Sequence, residues 1–217
     1  MIEVAGEPFI RHQLRSLYER GVDDVVICVA HRGEIIEDEV TRHHPDGMTV
    51  RCSRDASRFL GTGGALSRAV ADGRSDEQFM VLSDLTYPSD DFVEMWEWFD
   101  VEHHLGLMAV WHNDEQLETS NAAVRNGRVV GYRAASIRSA HPSMTYIGCG
   151  LGILTADSVL ELGPAEEPSD IALLYSTIAG RGLLQAYELD EPFYEIRSES
   201  GLAEFTRRLT SELQRSR

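Results

Sequence analysis

Apolar residues follow two alternating rhythms along the first half of the chain. Phe9, Ile10, Leu14, Leu17 and Tyr18 recur at helical spacing. Pro8 before them suits a first helical turn, and Gly21 ends the pattern. Val25 to Ala30 is then continuously apolar and rich in β-branched residues, the pattern of a strand covered on both faces. Ile35, Ile36 and Val40 mark a second short helix, and Met48, Val50 and Cys52 alternate with polar residues as a strand does. Gly61 to Gly64 predict a glycine-rich loop that leads into a helix through Leu66 and Val70. Phe79 to Leu82 and Leu107 to Trp111 are again apolar strands, with an amphipathic helix from Asp91 to Phe99 between them. This alternation predicts an α/β fold with a mixed, mostly parallel sheet and helices on both faces.

The second half changes style. Ala122 to Arg125, Asn126-Gly127 and Arg128 to Tyr132 form a strong hairpin signal. Strands near Ile147 to Leu154 and Leu184 to Leu189 follow, separated by a helix from Ser169 to Ala179. A last helix starts near Ser200. No linker, repeat or low-complexity stretch interrupts the order, so residues 1–217 read as one domain whose later strands include antiparallel ones.

Composition narrows the class. A chain of 217 residues buries enough surface to fold without disulfides or a structural metal. Its longest apolar run, Val25 to Ala30, is far too short to cross a bilayer. Cys28, Cys52 and Cys149 are widely spaced with no CxxC pair, which reads as small buried hydrophobes in a reducing compartment. Nothing at the start resembles a secretion signal, and the expected location is the cytoplasm. The net charge of −16 repels phosphate backbones and anionic lipids, so nucleic acid and membrane are excluded as partners. All twenty basic residues are Arg, so any step needing a cation must use Arg or a metal.

In an open α/β sheet, ligands bind beyond the carboxyl ends of the strands, and three features fall there. Leu60-Gly-Thr-Gly-Gly-Ala-Leu66 lets the backbone approach a flat or anionic ligand, although a tight turn alone explains its glycines as well. It lacks the Lys of a P-loop. Asp84 directly follows an apolar strand; it suits Mg²⁺ shared with phosphates, or a simple turn. Glu195, in Phe193-Tyr-Glu-Ile196, is either a second metal carboxylate or a solvent-facing strand residue. The pairs His43-His44 and His103-His104 lack metal-ligand spacing and are expected at the surface. Trp96 and Trp98 cannot share one helix face, so one is expected to pack and one to be exposed.

Taken in order, Val4-Ala-Gly-Glu-Pro8, Gly21-Val-Asp-Asp-Val-Val26, Leu60-Gly-Thr-Gly-Gly-Ala-Leu66 and Val81-Leu-Ser-Asp84 resemble the sugar-1-phosphate nucleotidylyltransferases. Ser120-Asn121, Gly127-Arg-Val-Val130, Gly150-Leu-Gly-Ile-Leu154 and Phe193-Tyr-Glu-Ile196 fit the same type, so the resemblance covers nearly the whole chain. It implies a Rossmann-like nucleotidyltransferase fold. It also implies Mg²⁺-dependent transfer of a nucleoside monophosphate from a nucleoside triphosphate to a sugar 1-phosphate, with release of pyrophosphate. Gly61, Thr62 and Gly63 would then lie against base and ribose, Asp84 would be the catalytic metal ligand and Glu195 the second one. Asn121 and Gly150 would face the sugar. The Trp-bearing helix offers a contact for a homo-oligomer.

Departures from the family pattern leave the activity open. The family opens with a strand and a GxGTRxxP loop that wraps the triphosphate; the strand lies at the centre of the sheet. Neither is present in this sequence, because Met1 is an internal start or because the protein is a short natural form. Ser83 stands where Gly is usual, no Lys is found near Arg133, and Gly148 replaces an acidic residue of the sugar pocket. The alternative reading is a non-catalytic relative that binds a nucleotide or nucleotide-sugar as a regulatory subunit. A third is a structural subunit that binds none.

Overall fold

The computed structural model describes residues 1–55, 58–87, 92–113, 119–134, 141–163, 168–190, 194–196 and 199–215. The chain opens with a tight hairpin: β1 (Glu3–Val4) pairs antiparallel with β2 (Glu7–Pro8) around Ala5 and Gly6, both at positive φ. α1 (Phe9–Glu19) follows and buries Phe9, Leu14 and Leu17, with His12 and Gln13 beside them. β3 (Asp24–Val29), α2 (Gly33–Arg42) and β4 (Thr49–Arg54) form a parallel β-α-β unit, with Val25 opposite Val50 and Ile27 opposite Cys52. α3 (Gly61–Ala71) leads to β5 (Gln78–Leu82) and β6 (Thr86–Tyr87). Then come α4 (Phe92–Trp98), β7 (Gly106–His112), the hairpin β8 (Ala122–Arg125) and β9 (Arg128–Tyr132), and the long β10 (Tyr146–Thr155). α5 (Ala156–Leu162), α6 (Ile171–Gly180), β11 (Leu184–Glu188), β12 (Tyr194–Glu195) and α7 (Glu199–Arg215) complete the order.

The main sheet has the order β5-β10-β7-β11-β9-β8. β7 and β11 pair parallel, whereas β10 lies antiparallel between β5 and β7, and β9 antiparallel to β11 and β8. Thus β5, β7, β8 and β11 run one way and β9 and β10 the other. The sheet is mixed, and most strands share a direction. β7 explains its own apolar run: Leu107, Ala109 and Trp111 enter the core beside α1, and Met108 and Val110 enter the core beneath α3, α5 and α6. Alternate side chains of a strand point to opposite faces, so a strand covered on both must be apolar throughout.

The sheet is interrupted at one place. Among the described residues, β3 pairs only with β4 and β5 only with β10. Val25, Ile27, Met80 and Leu82 nevertheless pack on the same core with Leu14 and Leu17. The two strands share a core without sharing a hydrogen-bond ladder, and every residue of β5 is only half-buried.

Cys28 lies at this break and departs from the expected buried cysteine. Its surface is exposed, and its thiol donates to the carbonyl of Ala65 at 3.7 Å. The protein packed around it still desolvates the thiolate, and that burial, with Asp55 adding to it, pushes the thiol up to about 11. Solvent reaches the residue, but charge on its sulfur is disfavoured. A raised pKa withholds the thiolate until the pH approaches 11. The alkylation rate of Cys28 is therefore expected to climb about tenfold per pH unit from pH 7 to 10, where an ordinary thiol levels off near 8.5. Cys149 is buried and is expected to stay unlabelled until the protein unfolds. Mass-resolved labelling with iodoacetamide checks both, and a rate for Cys28 that levels off below pH 9 contradicts the raised thiol pKa.

Two further expectations change. Trp96 and Trp98 are both exposed, because α4 buries Phe92 and Met95 instead. His104 is buried, its Nδ1 3.2 Å from the Asp100 carbonyl, whereas His43, His44 and His103 are exposed as expected.

Candidate active site

β5 ends at Leu82, and residues 83–86 turn back into β6. The Thr86 amide donates to the Ser83 carbonyl at 3.1 Å and closes the turn. Ser83 N–H reaches across to the Gly150 carbonyl at 2.7 Å, and the Thr86 hydroxyl donates to the Cys149 carbonyl at 3.4 Å. From the opposite side, the Gln13 carboxamide on α1 donates to the Thr86 carbonyl at 2.8 Å. Ile196 N–H donates to the Leu85 carbonyl at 3.0 Å. The turn's main chain is thus tied to α1, β10 and the β12 segment, while the Asp84 side chain is exposed. A carboxylate on a fixed turn at a strand's carboxyl end is available to a ligand.

The neighbours of that turn include most of the other expected site residues. β12 pairs antiparallel with β6, and Glu195 lies opposite Thr86, two residues from Asp84. Gly150 lies at a shift in the β10–β7 register, with φ +68°. A Cβ there would sit 2.4 Å from the Thr86 hydroxyl and 3.0 Å from the Ser83 Cβ, so its close approach is to the Asp84 turn itself. Asn121 is buried, and its Oδ1 accepts from Gly148 N–H at 2.8 Å. The Arg133 amide donates to the Asn121 carbonyl at 2.9 Å. Gly148 has no room for the acidic side chain of the family pattern: a Cβ would meet the Tyr132 ring at 2.8 Å. Along β10, then, Asn121 meets position 148 and the Asp84 turn meets position 150.

The glycine turn lies on the other side of β5. Ala65, next to it, contacts Cys28 of β3. α3 runs from Gly61 to Ala71, and residues 72–77 connect it to β5. The glycines form no separate loop, because α3 starts at Gly61 itself. The space beside its glycines is filled by the segment entering α6. Gly63 N–H donates to the Ser169 carbonyl at 2.9 Å, and Ser169 N–H donates to the Leu60 carbonyl at 2.8 Å. The Thr62 hydroxyl accepts from Ile171 N–H at 2.9 Å, capping α6 together with Asp170. Gly61 and Gly63 are glycine here because Ser169 and Asp170 touch them.

Gln13 and Ser169 were not singled out by sequence reasoning. Gln13 had a signal: it falls on the helical stripe of Ile10, Leu14 and Leu17, and a polar residue on a buried stripe needs a partner. Ser169 had none.

A mixed α/β fold with a fixed carboxylate turn after β5, a glycine-started helix α3 and the antiparallel β8–β9 hairpin is that of a nucleotidyltransferase. Two solved structures match it: HddC from Yersinia pseudotuberculosis, with a TM-score of 0.79 and 17% identity over 96% of this chain and 88% of that one, and the inositol-1-phosphate CTP transferase from T. maritima, with 0.75 and 14% over 95% and 83%. The chain belongs to the MobA-like NTP transferase domain family, whose model matches residues 1–210. Among curated relatives, a rice protein described as "Probable mannose-1-phosphate guanylyltransferase 3" is 30% identical over 106 residues, 43% of this chain. The bifunctional protein GlmU of Syntrophomonas wolfei is 31% identical over 86 residues, 37% of this chain. The matches span 27% and 16% of the length of those two relatives. No helix among the described residues is long and apolar enough to cross a membrane.

Proposed function

We propose that this chain performs nucleotidyl transfer to a sugar 1-phosphate. The sugar phosphate oxygen attacks the α-phosphorus of a nucleoside triphosphate, the α–β P–O bond breaks, and pyrophosphate leaves with its electron pair. The observation that supports the reading is the Asp84 turn, fixed through its main chain from three sides, with Glu195 of β12 paired opposite Thr86 and Gly150 of β10 against Ser83 and Thr86.

The donor set fits Mg²⁺. No cluster of three or more His, Cys, Asp or Glu residues able to hold a metal occurs among the described residues. Mg²⁺ is commonly held by one or two carboxylates, with substrate phosphates and water completing its shell. Asp84 and Glu195 would hold it, and when bound it supplies neutralisation of the triphosphate charge. The remaining work is positioning. The start of α3 would present only main chain to the base. Asn121, its Oδ1 engaged by Gly148, would direct its Nδ2 donor toward a sugar hydroxyl.

A second reading, a nucleotide-binding relative without turnover, is favoured by one observation: the Gly63 N–H, a donor the family loop would offer a ligand, is occupied by Ser169. One experiment separates the two. The protein is incubated with each common nucleoside triphosphate and with mannose, glucose or N-acetylglucosamine 1-phosphate, and pyrophosphate is measured with Mg²⁺ and with EDTA. Transfer predicts pyrophosphate with at least one pair, lost in EDTA. A rise in melting temperature with nucleotide and no pyrophosphate selects the second reading. Neither signal refutes both.

A further inference from the structure

We infer that Gln13 is the positioning residue of the metal-binding turn: from α1 its carboxamide fixes the main chain of residues 83–86, which sets the place of the Asp84 carboxylate for a cation. The inference rests on the reading of Asp84 as a metal ligand and adds to it the group that sets the turn.

Gln13 is 8% exposed and lies on the apolar face of α1. A carboxamide in that position loses its water, and its hydrogens must be met by acceptors. The Nε2 group finds three carbonyls of one turn: Thr86 at 2.8 Å, Ser83 at 3.3 Å and Asp84 at 3.4 Å. Three carbonyl oxygens drawn toward one point repel each other, and a neutral group with two hydrogens offsets that repulsion. The Ser83 and Leu85 carbonyls also accept from Thr86 N–H and Ile196 N–H. For the Asp84 carbonyl, the Gln13 contact is the only hydrogen bond found among the described residues. Thr86 is, in turn, the residue paired with Glu195. The Gln13 amide therefore touches the residue that carries one proposed ligand and the residue that aligns the other. Its contacts are to main-chain carbonyls, so its effect passes through backbone geometry.

The test measures Mn²⁺ binding to the full chain by electron paramagnetic resonance, alongside thermal melting, for wild type, Gln13→Met, Asp84→Asn and the double variant. Met keeps the length and volume and removes both donors. The expected result is about a tenfold rise in the Mn²⁺ Kd for Gln13→Met, the scale seen when a group supporting a metal ligand is lost. In the Asp84→Asn background the same change is expected to do nothing more. Should Met at 13 prevent folding, Gln13→Asn keeps the carboxamide but shortens its reach by one methylene, and the same rise is expected. An unchanged Kd in the Gln13 variant, with weakened binding in Asp84→Asn, overturns the role of Gln13 and leaves the metal reading standing. Unchanged binding in Asp84→Asn itself overturns the metal reading. A lower melting temperature with an unchanged Kd shows that Gln13 serves only the core.

Discussion

Asp84→Asn is expected to slow pyrophosphate release by about a thousandfold or more, roughly 4 kcal/mol of transition-state stabilisation. Asn has the shape of Asp and lacks its charge. The bonds that build the turn run through the main chain of residues 83–86 and through Gln13, Gly150 and Ile196, and none of them uses the Asp84 carboxylate. The fold should therefore survive, with a melting temperature within a few degrees of wild type. What disappears, on the proposed reading, is one of two anionic oxygen ligands on a protein whose net charge is −16. That charge works against a triphosphate, so the ion that neutralises the phosphates matters more here than on a basic protein. Single-turnover measurement at saturating nucleotide separates a lost chemical step from lost nucleotide binding. A decrease smaller than tenfold would exclude Asp84 as the essential ligand.

How far the chain could be read in advance differs from element to element. The run Leu107 to Trp111 is legible because β7 is covered on both faces, so alternation gives way to a continuous apolar string. The hairpin at Asn126-Gly127 is legible because both residues adopt positive φ, which those residue types tolerate. Val25 to Ala30 carries the same apolar signature, yet among the described residues its strand pairs along one edge only, with β4. Periodicity reports which faces are covered and is silent about edges, because every residue type offers the same N–H and C=O to a neighbouring strand. The site divides in the same way. The place of Asp84, on a turn directly after β5, was legible from the apolar run before it. The occupant of the glycine turn was not: a close approach demands glycine whether the visitor is a ligand or the chain's own Ser169, which lies more than a hundred residues away.

That ambiguity can be resolved by substitution. Gly61→Ala is expected to destabilise the protein by about 3 kcal/mol, and Gly73→Ala by about 1 kcal/mol. The two glycines have nearly the same backbone, at φ +69° and +66°. An L-residue held there costs about 1–2 kcal/mol from its own Cβ, and both variants carry that strain. They differ in what the new methyl meets. At Gly73 nothing lies within 4 Å, whereas at Gly61 the Ser169 carbonyl oxygen lies at 2.4 Å and its carbon at 3.1 Å. Those are main-chain atoms, held by the Gly63 and Leu60 hydrogen bonds and by the capped start of α6, so they cannot swing aside as a flexible side chain would. Either the overlap is absorbed as strain or the segment at 168–171 detaches and leaves the Gly63 amide unpaired; each adds about 1–3 kcal/mol. For a chain of this length the difference between the variants corresponds to roughly 4–8 °C in melting temperature. Equal destabilisation would mean that Ser169 does not press on the turn, and the glycine at 61 would then be kept for a ligand. The predicted inequality assigns it to the fold, and any loss of nucleotide binding in Gly61→Ala is then a consequence of a displaced α3 start rather than of a blocked contact.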